Sequence, residues 1–207
     1  GQGPRGMVRA RVERLRVHHL DGRGLRVLVE RDVERVVGGA GDQAEHQIGN
    51  GIHAWKCDSI TIRNNQVSGH RDGIYFEFTS GSTIGHNTST KNLRYGLHFM
   101  FSNNDGYFYN RFFDNGSGVA VMYSRNVKMQ FNQFNDNWGA AAYGLLLKEI
   151  TTGDIAFNDF KRNTTGIYME GSSDCRVHYN SFRANGWGLR VQGDCFNDSI
   201  KANNFEG

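Results

Sequence analysis

The stretch Gly96-Leu97-His98-Phe99-Met100 has a counterpart 22 residues later, Gly118-Val119-Ala120-Val121-Met122. In both copies a glycine is followed by residues of which every second one is apolar. This period of two predicts a β-strand with one buried face, whereas a helix has a period of 3.6. The pattern recurs with spacings of 22, 23, 22, 26, 22 and 22 residues, and its seven copies begin at Gly51, Gly73, Gly96, Gly118, Gly144, Gly166 and Gly188.

A second signature, Asn-x-Phe, keeps the same period and starts at Asn110, Asn132, Asn158, Asn180 and Asn203. Repeats of this length indicate stacked units that cannot bury their apolar face alone. At about 3.3 Å per residue, one coil of 22 residues holds three short strands and their turns. We therefore predict an all-β fold, a right-handed parallel β-helix (a single-stranded, pectin-lyase-like solenoid) of seven to eight coils. We expect the asparagines to stack as a hydrogen-bonded ladder, and the spacing of 26 to be a loop around residues 138–142.

Residues 1–48 differ from the rest of the 207-residue chain. Residues 1–40 carry nine Arg and no Lys against five acidic residues, so the formal net charge of +3 comes from this segment. We predict one or more uncertain N-terminal coils in 1–48, with residues 24–29 as the candidate strand. A shifted reading frame is the alternative origin of this composition. Residues 49–207 form the predicted repeat domain, which we expect to be a fragment that lacks C-terminal coils.

The composition also limits the kinds of partner. Outside the first 40 residues the charges nearly balance, so we expect no nucleic-acid partner. No run approaches 18 apolar residues, so we predict no membrane span. Three cysteines, Cys57, Cys175 and Cys195, form no CxxC motif. We expect them to be small, partly buried residues, with a thiol ligand at Cys57 near His53 as the alternative.

The strand after each glycine should carry two outward columns of side chains, with neighbours about 4.8 Å apart. The first column reads His53, Tyr75, His98, Ala120, Leu146, Tyr168 and Arg190. The second column reads Trp55, Glu77, Met100, Met122, Lys148, Glu170 and Gln192. A face this rich in aromatic, His and Met residues predicts an interaction surface, which we assign to His53, Trp55, Tyr75, Glu77, Lys148, Tyr168 and Glu170.

A metal site is predicted within these columns at His98, Met100 and Met122. His98 and Met100 are two residues apart on one strand, and Met122 lies one coil beyond Met100. Thioether sulfur and imidazole form a soft ligand set that favours Cu(I) over Ca²⁺ or Mg²⁺. Packing or interface residues are the alternative that the spacing leaves open; the predicted cofactor is copper, as Cu(I).

The enzyme alternative requires a close pair of carboxylates. Glu77 and Glu170 are four coils apart, about 19 Å, and Lys148 beside Glu170 predicts an ion-paired network instead. Asp72 precedes a corner glycine next to Arg71, where we expect it to form an ion pair or a cap. We predict no catalytic residues and no enzyme. The alternative function is a carbohydrate-binding or carbohydrate-active β-helix, with Trp55, Tyr75 and Tyr168 as sugar-stacking platforms.

Six segments resemble the NosD family. They are GHRDGIYFEF at 69–78, RYGLHFMFS at 94–102, GVAVMYSR at 118–125, NWG at 137–139, YGLLLKEI at 143–150 and GIYMEG at 166–171. The likeness covers roughly residues 49–207, and these strings are more specific than a bare Asn-rich repeat.

The resemblance implies a periplasmic location and a role in copper-site assembly of nitrous oxide reductase. It implies action with an ABC-type ATPase and permease, and a client that is nitrous oxide reductase or a copper donor protein. It also implies a chain about twice this length and a fold shared with sugar-hydrolase β-helices. Our leading hypothesis is a non-enzymatic scaffold for copper delivery or docking. A structural solenoid without a ligand is a third alternative, after the carbohydrate-active one.

Overall fold

The computed structural model describes residues 48–207, which form 21 β-strands and no helix. The strands belong to three sheets of seven parallel strands each, and consecutive strands of the chain visit the three sheets in turn. The prediction of an all-β parallel solenoid is confirmed, with about seven coils. Within the described part of the chain, no helix is long and apolar enough to span a bilayer.

The first sheet contains the strands that follow the repeat glycines: β1 (Ile52–Trp55), β4 (Asp72–Glu77), β7 (Tyr95–Met100), β10 (Ser117–Met122), β13 (Tyr143–Lys148), β16 (Thr165–Glu170) and β19 (Trp187–Gln192). The second sheet contains β2 (Thr61–Arg63), β5 (Thr83–Gly85), β8 (Gly106–Phe108), β11 (Arg125–Gln130), β14 (Thr151–Ala156), β17 (Arg176–His178) and β20 (Ser199–Lys201). The third sheet contains β3 (Gln66–Ser68), β6 (Thr88–Thr90), β9 (Arg111–Phe113), β12 (Gln133–Asn135), β15 (Asp159–Lys161), β18 (Ser181–Arg183) and β21 (Asn204–Glu206).

The register of the first sheet follows the sequence repeat. His98 pairs with Ala120 and Met100 pairs with Met122 between β7 and β10. Glu77 pairs with Met100 between β4 and β7. The side-chain columns derived from the repeat are therefore the columns of the structure.

The interior combines apolar side chains with stacked polar ones. Phe134 stacks on Phe160 with ring centroids 4.6 Å apart and an angle of 4° between the planes. The expected asparagine ladder is confirmed, and each amide except that of the last member donates to the asparagine one coil further on: Asn65, Asn87, Asn110, Asn132, Asn158, Asn180 and Asn203. A second ladder, not predicted, contains Asn92, Asn115, Asn137, Asn163 and Asn185. These bonds satisfy amides that would otherwise be costly to bury.

The repeat glycines are required because coils approach each other closely at this position. A Cβ added to Gly96 would lie 2.8 Å from the carbonyl oxygen of Gly118 and 2.9 Å from Nδ2 of Asn115. The spacing of 26 is the expected loop, which lies between β12 and β13. Trp138 stands out from it with 63% of its surface exposed, and the N–H of Gly139 donates to Oγ1 of Thr164 at 3.0 Å.

The predicted N-terminal coil, with its strand at residues 24–29, lies outside the described residues. Val191, which occupies an inward position of the repeat, is 46% exposed. Its strand β19 is the last of the first sheet, so no described coil packs over it.

Candidate functional site

A stack of aromatic rings runs over the outward face of the first sheet. Tyr75 lies between His53 and His98, with ring centroids 4.8 and 4.9 Å away. Tyr95 contacts His98 from another side at 4.8 Å. His98 is consequently 5% exposed, although its column points outward. The expected open column is interrupted here because the larger tyrosines cover the imidazole.

The middle of the same column is buried as well. Ala120 has no exposed surface and Leu146 is 8% exposed. Ala120 pairs with His98 on one side and Leu146 on the other. Its methyl group therefore lies below its longer neighbours, and the face is not uniformly accessible.

Beneath the tyrosines, Asp72, Arg94 and His98 form a compact polar cluster. Nε of Arg94 donates to Oδ1 of Asp72 at 3.0 Å, and Nη2 donates to Oδ2 at 2.7 Å. Nδ1 of His98 lies 3.4 Å from Oδ2 of Asp72. Burial by itself would raise the pKa of Asp72, but hydrogen bonds from His98 and Arg94 hold it below its ordinary value. The buried group is therefore an ionised carboxylate at neutral pH.

The second ring nitrogen of His98 has no such contact. Nε2 is buried and has no hydrogen-bond partner among the described residues. An unsatisfied buried nitrogen is costly, and a ligand or metal ion bound there would relieve the cost. A carboxylate behind the opposite ring nitrogen is also the arrangement that orients metal-binding histidines.

Thioether sulfur lies on the same patch of the sheet. Met100 is two residues beyond His98 on β7, and Met122 is its register partner on β10. Oη of Tyr75 donates to Sδ of Met100 at 3.8 Å, and both methionines are half-buried. The structure thus brings the three residues of the predicted metal site to adjacent positions. Residues 48–207 contain no cluster of three or more His, Cys, Asp or Glu side chains that could hold a metal, so a copper ion here would depend on methionine sulfur.

A model of the NosD family, described as periplasmic copper-binding protein, matches residues 33–207. The chain belongs to the NosD family. This membership confirms the resemblance seen in the sequence. It also supports the prediction that the chain is a copper-related periplasmic protein. No curated protein matches the chain in sequence.

Solved structures similar to this NosD-family chain include carbohydrate-active β-helices. The periplasmic alginate epimerase AlgG is 17% identical with a TM-score of 0.56, over 76% of this chain and 46% of that one. The A-module of the Azotobacter vinelandii mannuronan C-5 epimerase AlgE6 is 16% identical with a TM-score of 0.51, over 76% of this chain and 55% of that one. The NosD-family chain spans about half the length of these structures. At this identity the likeness shows the shared fold.

The other predicted face residues of the NosD-family chain form two groups. His53 joins the ring stack on Tyr75, and Trp55 is exposed with Nζ of Lys56 4.7 Å from its ring. Further along, Nζ of Lys148 lies 3.3 Å from Oε1 of Glu170. The ion pair expected at Lys148 is therefore present.

The second group also includes Tyr168. Its Oη donates to Oε1 of Gln192 at 3.1 Å, and the guanidinium of Arg190 lies 5.5 Å from its ring. The buried Ala120 and Leu146 interrupt the first column, whereas the second column continues through the half-buried Met100, Met122 and Lys148 to Glu170.

Sequence reasoning did not identify Arg94 and Tyr95. The ion pair or cap expected for Asp72 is present as an ion pair, and its partners are Arg94 and His98. Strict alternation counted back from Ile74 would point Asp72 inward. The alternation fails at Gly73, where an added Cβ would point inward and strike Ser89. The 22-residue offset between Asp72 and Arg94 was the signal available in the sequence.

The cysteines of the NosD-family chain are all free. Burial raises the pKa of the Cys175 thiol to about 12, so that thiol stays protonated and is a poor metal ligand. Sγ of Cys57 donates to the carbonyl oxygen of Trp55 at 3.1 Å. The thiol of Cys57 is therefore engaged locally, and its role as a ligand stays a prediction.

Proposed function

We propose that this chain is a non-enzymatic periplasmic scaffold that delivers copper, or docks its carrier, during copper-site assembly of nitrous oxide reductase, acting with an ABC-type transporter. The observation that carries the proposal is the buried, unpartnered Nε2 of His98 on the same strand as Met100. Membership in a family described as periplasmic and copper-binding supports it.

The residues fit a soft monovalent ion. Asp72 would hold the imidazole of His98 in orientation, while Met100 and Met122 would supply thioether sulfur. Tyr75 and Tyr95 limit the access of water to the imidazole. Thioether sulfur is a soft ligand that selects Cu(I).

Contacts on the same face weigh against the carbohydrate alternative. Tyr75 has rings packed against it from His53 and His98, so little of its face is free to stack on a sugar. Glu170 is engaged by Lys148. Both features support an accessory protein over a hydrolase or lyase.

The metal part of the proposal is tested by competitive titration of Cu(I) against a chromophoric chelator. The 207-residue chain is compared with a Met100→Leu/Met122→Leu variant. We expect the variant to bind Cu(I) at least about ten-fold more weakly, because two soft ligands are lost. The matched control is Met129→Leu/Met169→Leu, which changes two methionines buried in the core. Equal affinity in all three proteins would contradict the proposal.

The client part is tested by mixing copper-loaded chain with copper-free nitrous oxide reductase. We expect copper to move to the reductase, and His98→Ala to reduce the amount transferred. Transfer at the rate of free copper would contradict a delivery role. Association with the permease is tested by co-purification of the two from membranes, with and without the ATPase.

A further inference from the structure

A second row of stacked rings lies on another part of the solenoid, at the corner between the second and third sheets. The rings are nearly parallel, with centroids 4.9 to 5.3 Å apart and planes within 6 to 10° of each other, and they belong to His86, Tyr109, Phe131, Phe157 and Tyr179. We call this set the corner ladder. Its length is about 20 Å, since it spans five coils. Its members are exposed; Phe131, for example, is 42% exposed and Tyr179 is 54% exposed.

The corner ladder occupies backbone positions that do not favour aromatic residues. All five members have positive φ, between 55 and 58°. This region suits Gly and Asn, and a bulky side chain there carries a conformational cost. The corresponding corner residues of the first and last described coils are Asn64 and Ala202, so the fold itself does not demand an aromatic ring here.

The geometry limits what the ladder can bind. The faces of adjacent rings cover each other, so mainly the ring edges meet the solvent. Sugars stack on ring faces, and a folded protein partner would need a groove to receive a convex corner. A bilayer can deform around a ridge of this kind. Tyrosine is enriched at membrane–water interfaces, and phenylalanine is common on apolar faces that bury at the headgroup boundary.

The charges beside the corner ladder are mostly cationic, and the two carboxylates there, Asp154 and Asp159, are paired with Arg176 and Arg183. Lys128 lies on β11, three residues before Phe131, and Arg111 lies at the start of β9, two residues after Tyr109. Both cations are exposed. Neither forms an ion pair among residues 48–207. The nearby Asp154 is already bound by His178 at 2.9 Å and by Gln130 at 2.7 Å. The uncompensated charge at this corner is therefore positive and complements phosphate groups.

We propose that the corner ladder docks the solenoid on an anionic phospholipid bilayer. The ring edges enter the headgroup region, and Lys128 and Arg111 contact lipid phosphates. The long axis of the solenoid then lies along the membrane plane, because the ladder follows that axis. This docking does not depend on copper binding at His98.

Co-sedimentation with vesicles tests the proposal. We expect the 207-residue chain to bind vesicles of phosphatidylcholine mixed with phosphatidylglycerol, and to bind phosphatidylcholine alone at least about ten-fold more weakly. The test variant is Phe131→Asn/Phe157→Asn, because asparagine tolerates the left-handed backbone. We expect it to lose most of the binding.

The matched control is Phe78→Asn/Phe101→Asn. These two stacked and exposed rings also have positive φ but lie at the corner after the first sheet. The control should bind like the parent chain, and circular dichroism with thermal unfolding checks the fold of both variants. The proposal is overturned if the parent chain does not bind the mixed vesicles, if both double variants lose binding equally, or if the ladder variant instead changes only self-association in analytical ultracentrifugation.

Discussion

Arg94 and Asp72 form a bidentate ion pair across neighbouring coils, with donor–acceptor distances of 3.0 and 2.7 Å. The Asp72 side chain has no exposed surface, whereas that of Arg94 is 41% exposed. The pair is therefore asymmetric, because losing Arg94 leaves a charge buried while losing Asp72 leaves a charge that can reach water.

This asymmetry predicts the effects of two substitutions. Arg94→Leu should lower the free energy of unfolding by about 2–4 kcal/mol, because the Asp72 carboxylate keeps only His98 as a partner. Asp72→Asn should cost less. Urea unfolding of both variants at pH 7 measures the difference. Equal losses, or a larger loss for Asp72→Asn, would contradict the asymmetry.

The same pair predicts an acid dependence of stability. The pKa of Asp72 is lowered in the folded chain, so its stabilising contribution is present above the unfolded value near 3.8 and is lost as the pH falls below it. Thermal unfolding from pH 6 to pH 3 should show a smaller acid-induced decrease in Tm for Asp72→Asn than for the parent chain. Parallel curves for the two proteins would argue against an ionised Asp72.

Asp105 should make stability depend on pH in the opposite direction from Asp72. Burial raises its pKa to about 7, and its Oδ1 accepts the N–H of Ser82 at 2.7 Å while Oδ2 has no partner among the described residues. Because the folded-state pKa lies above the unfolded one, the chain loses stability as the pH rises from about 4 to 7. Asp105→Asn keeps the acceptor and removes the charge. It should stabilise the chain by about 1–3 kcal/mol at pH 8 and by much less at pH 4.5, as measured by urea unfolding at the two pH values.

Substitutions in the asparagine ladder from Asn65 to Asn203 should lower the free energy of unfolding by an amount that depends on their position. Nδ2 of Asn132 donates to Oδ1 of Asn158 at 3.1 Å and to the carbonyl oxygen of Tyr107 at 2.9 Å. Asn132→Ala leaves several buried groups without partners and should cost about 2–4 kcal/mol. Asn203→Ala, in the last and more exposed coil, should cost about 1 kcal/mol or less because water can replace the lost bonds. Similar losses of stability for Asn132→Ala and Asn203→Ala in denaturant unfolding would argue against burial of the ladder's hydrogen bonds as the cause.

The close approach at Gly96 predicts a steric effect near the candidate metal site. Gly96→Ala would place a methyl group 2.8 Å from the carbonyl oxygen of Gly118, so β7 must shift with His98 and Met100. We expect a loss of about 1–3 kcal/mol in urea unfolding, together with weaker Cu(I) binding. Gly139→Ala, whose new methyl group would lie 3.7 Å from Cβ of Ala142, serves as the control and should leave both quantities unchanged.

Much of this architecture was determined by the sequence itself. The 22-residue period and the alternation after each glycine define three strands per coil, and parallel pairing at one-coil spacing sets every column. That is why Met100 and Met122 could be placed side by side, and why the Asn and Phe signatures could be assigned to stacked rows. These rules are local: they depend on strand geometry and on the distance between adjacent strands.

Only the tertiary structure decided which side chains of these columns are buried and which contact each other. The inward position of Gly73 breaks the alternation, so Asp72 lies on the outer face and meets Arg94 and His98. Burial of His98 and the unpartnered state of its Nε2 arise from Tyr75 and Tyr95. Burial and hydrogen-bond satisfaction depend on the sizes and rotamers of neighbours in adjacent coils, and a one-dimensional repeat does not contain that information.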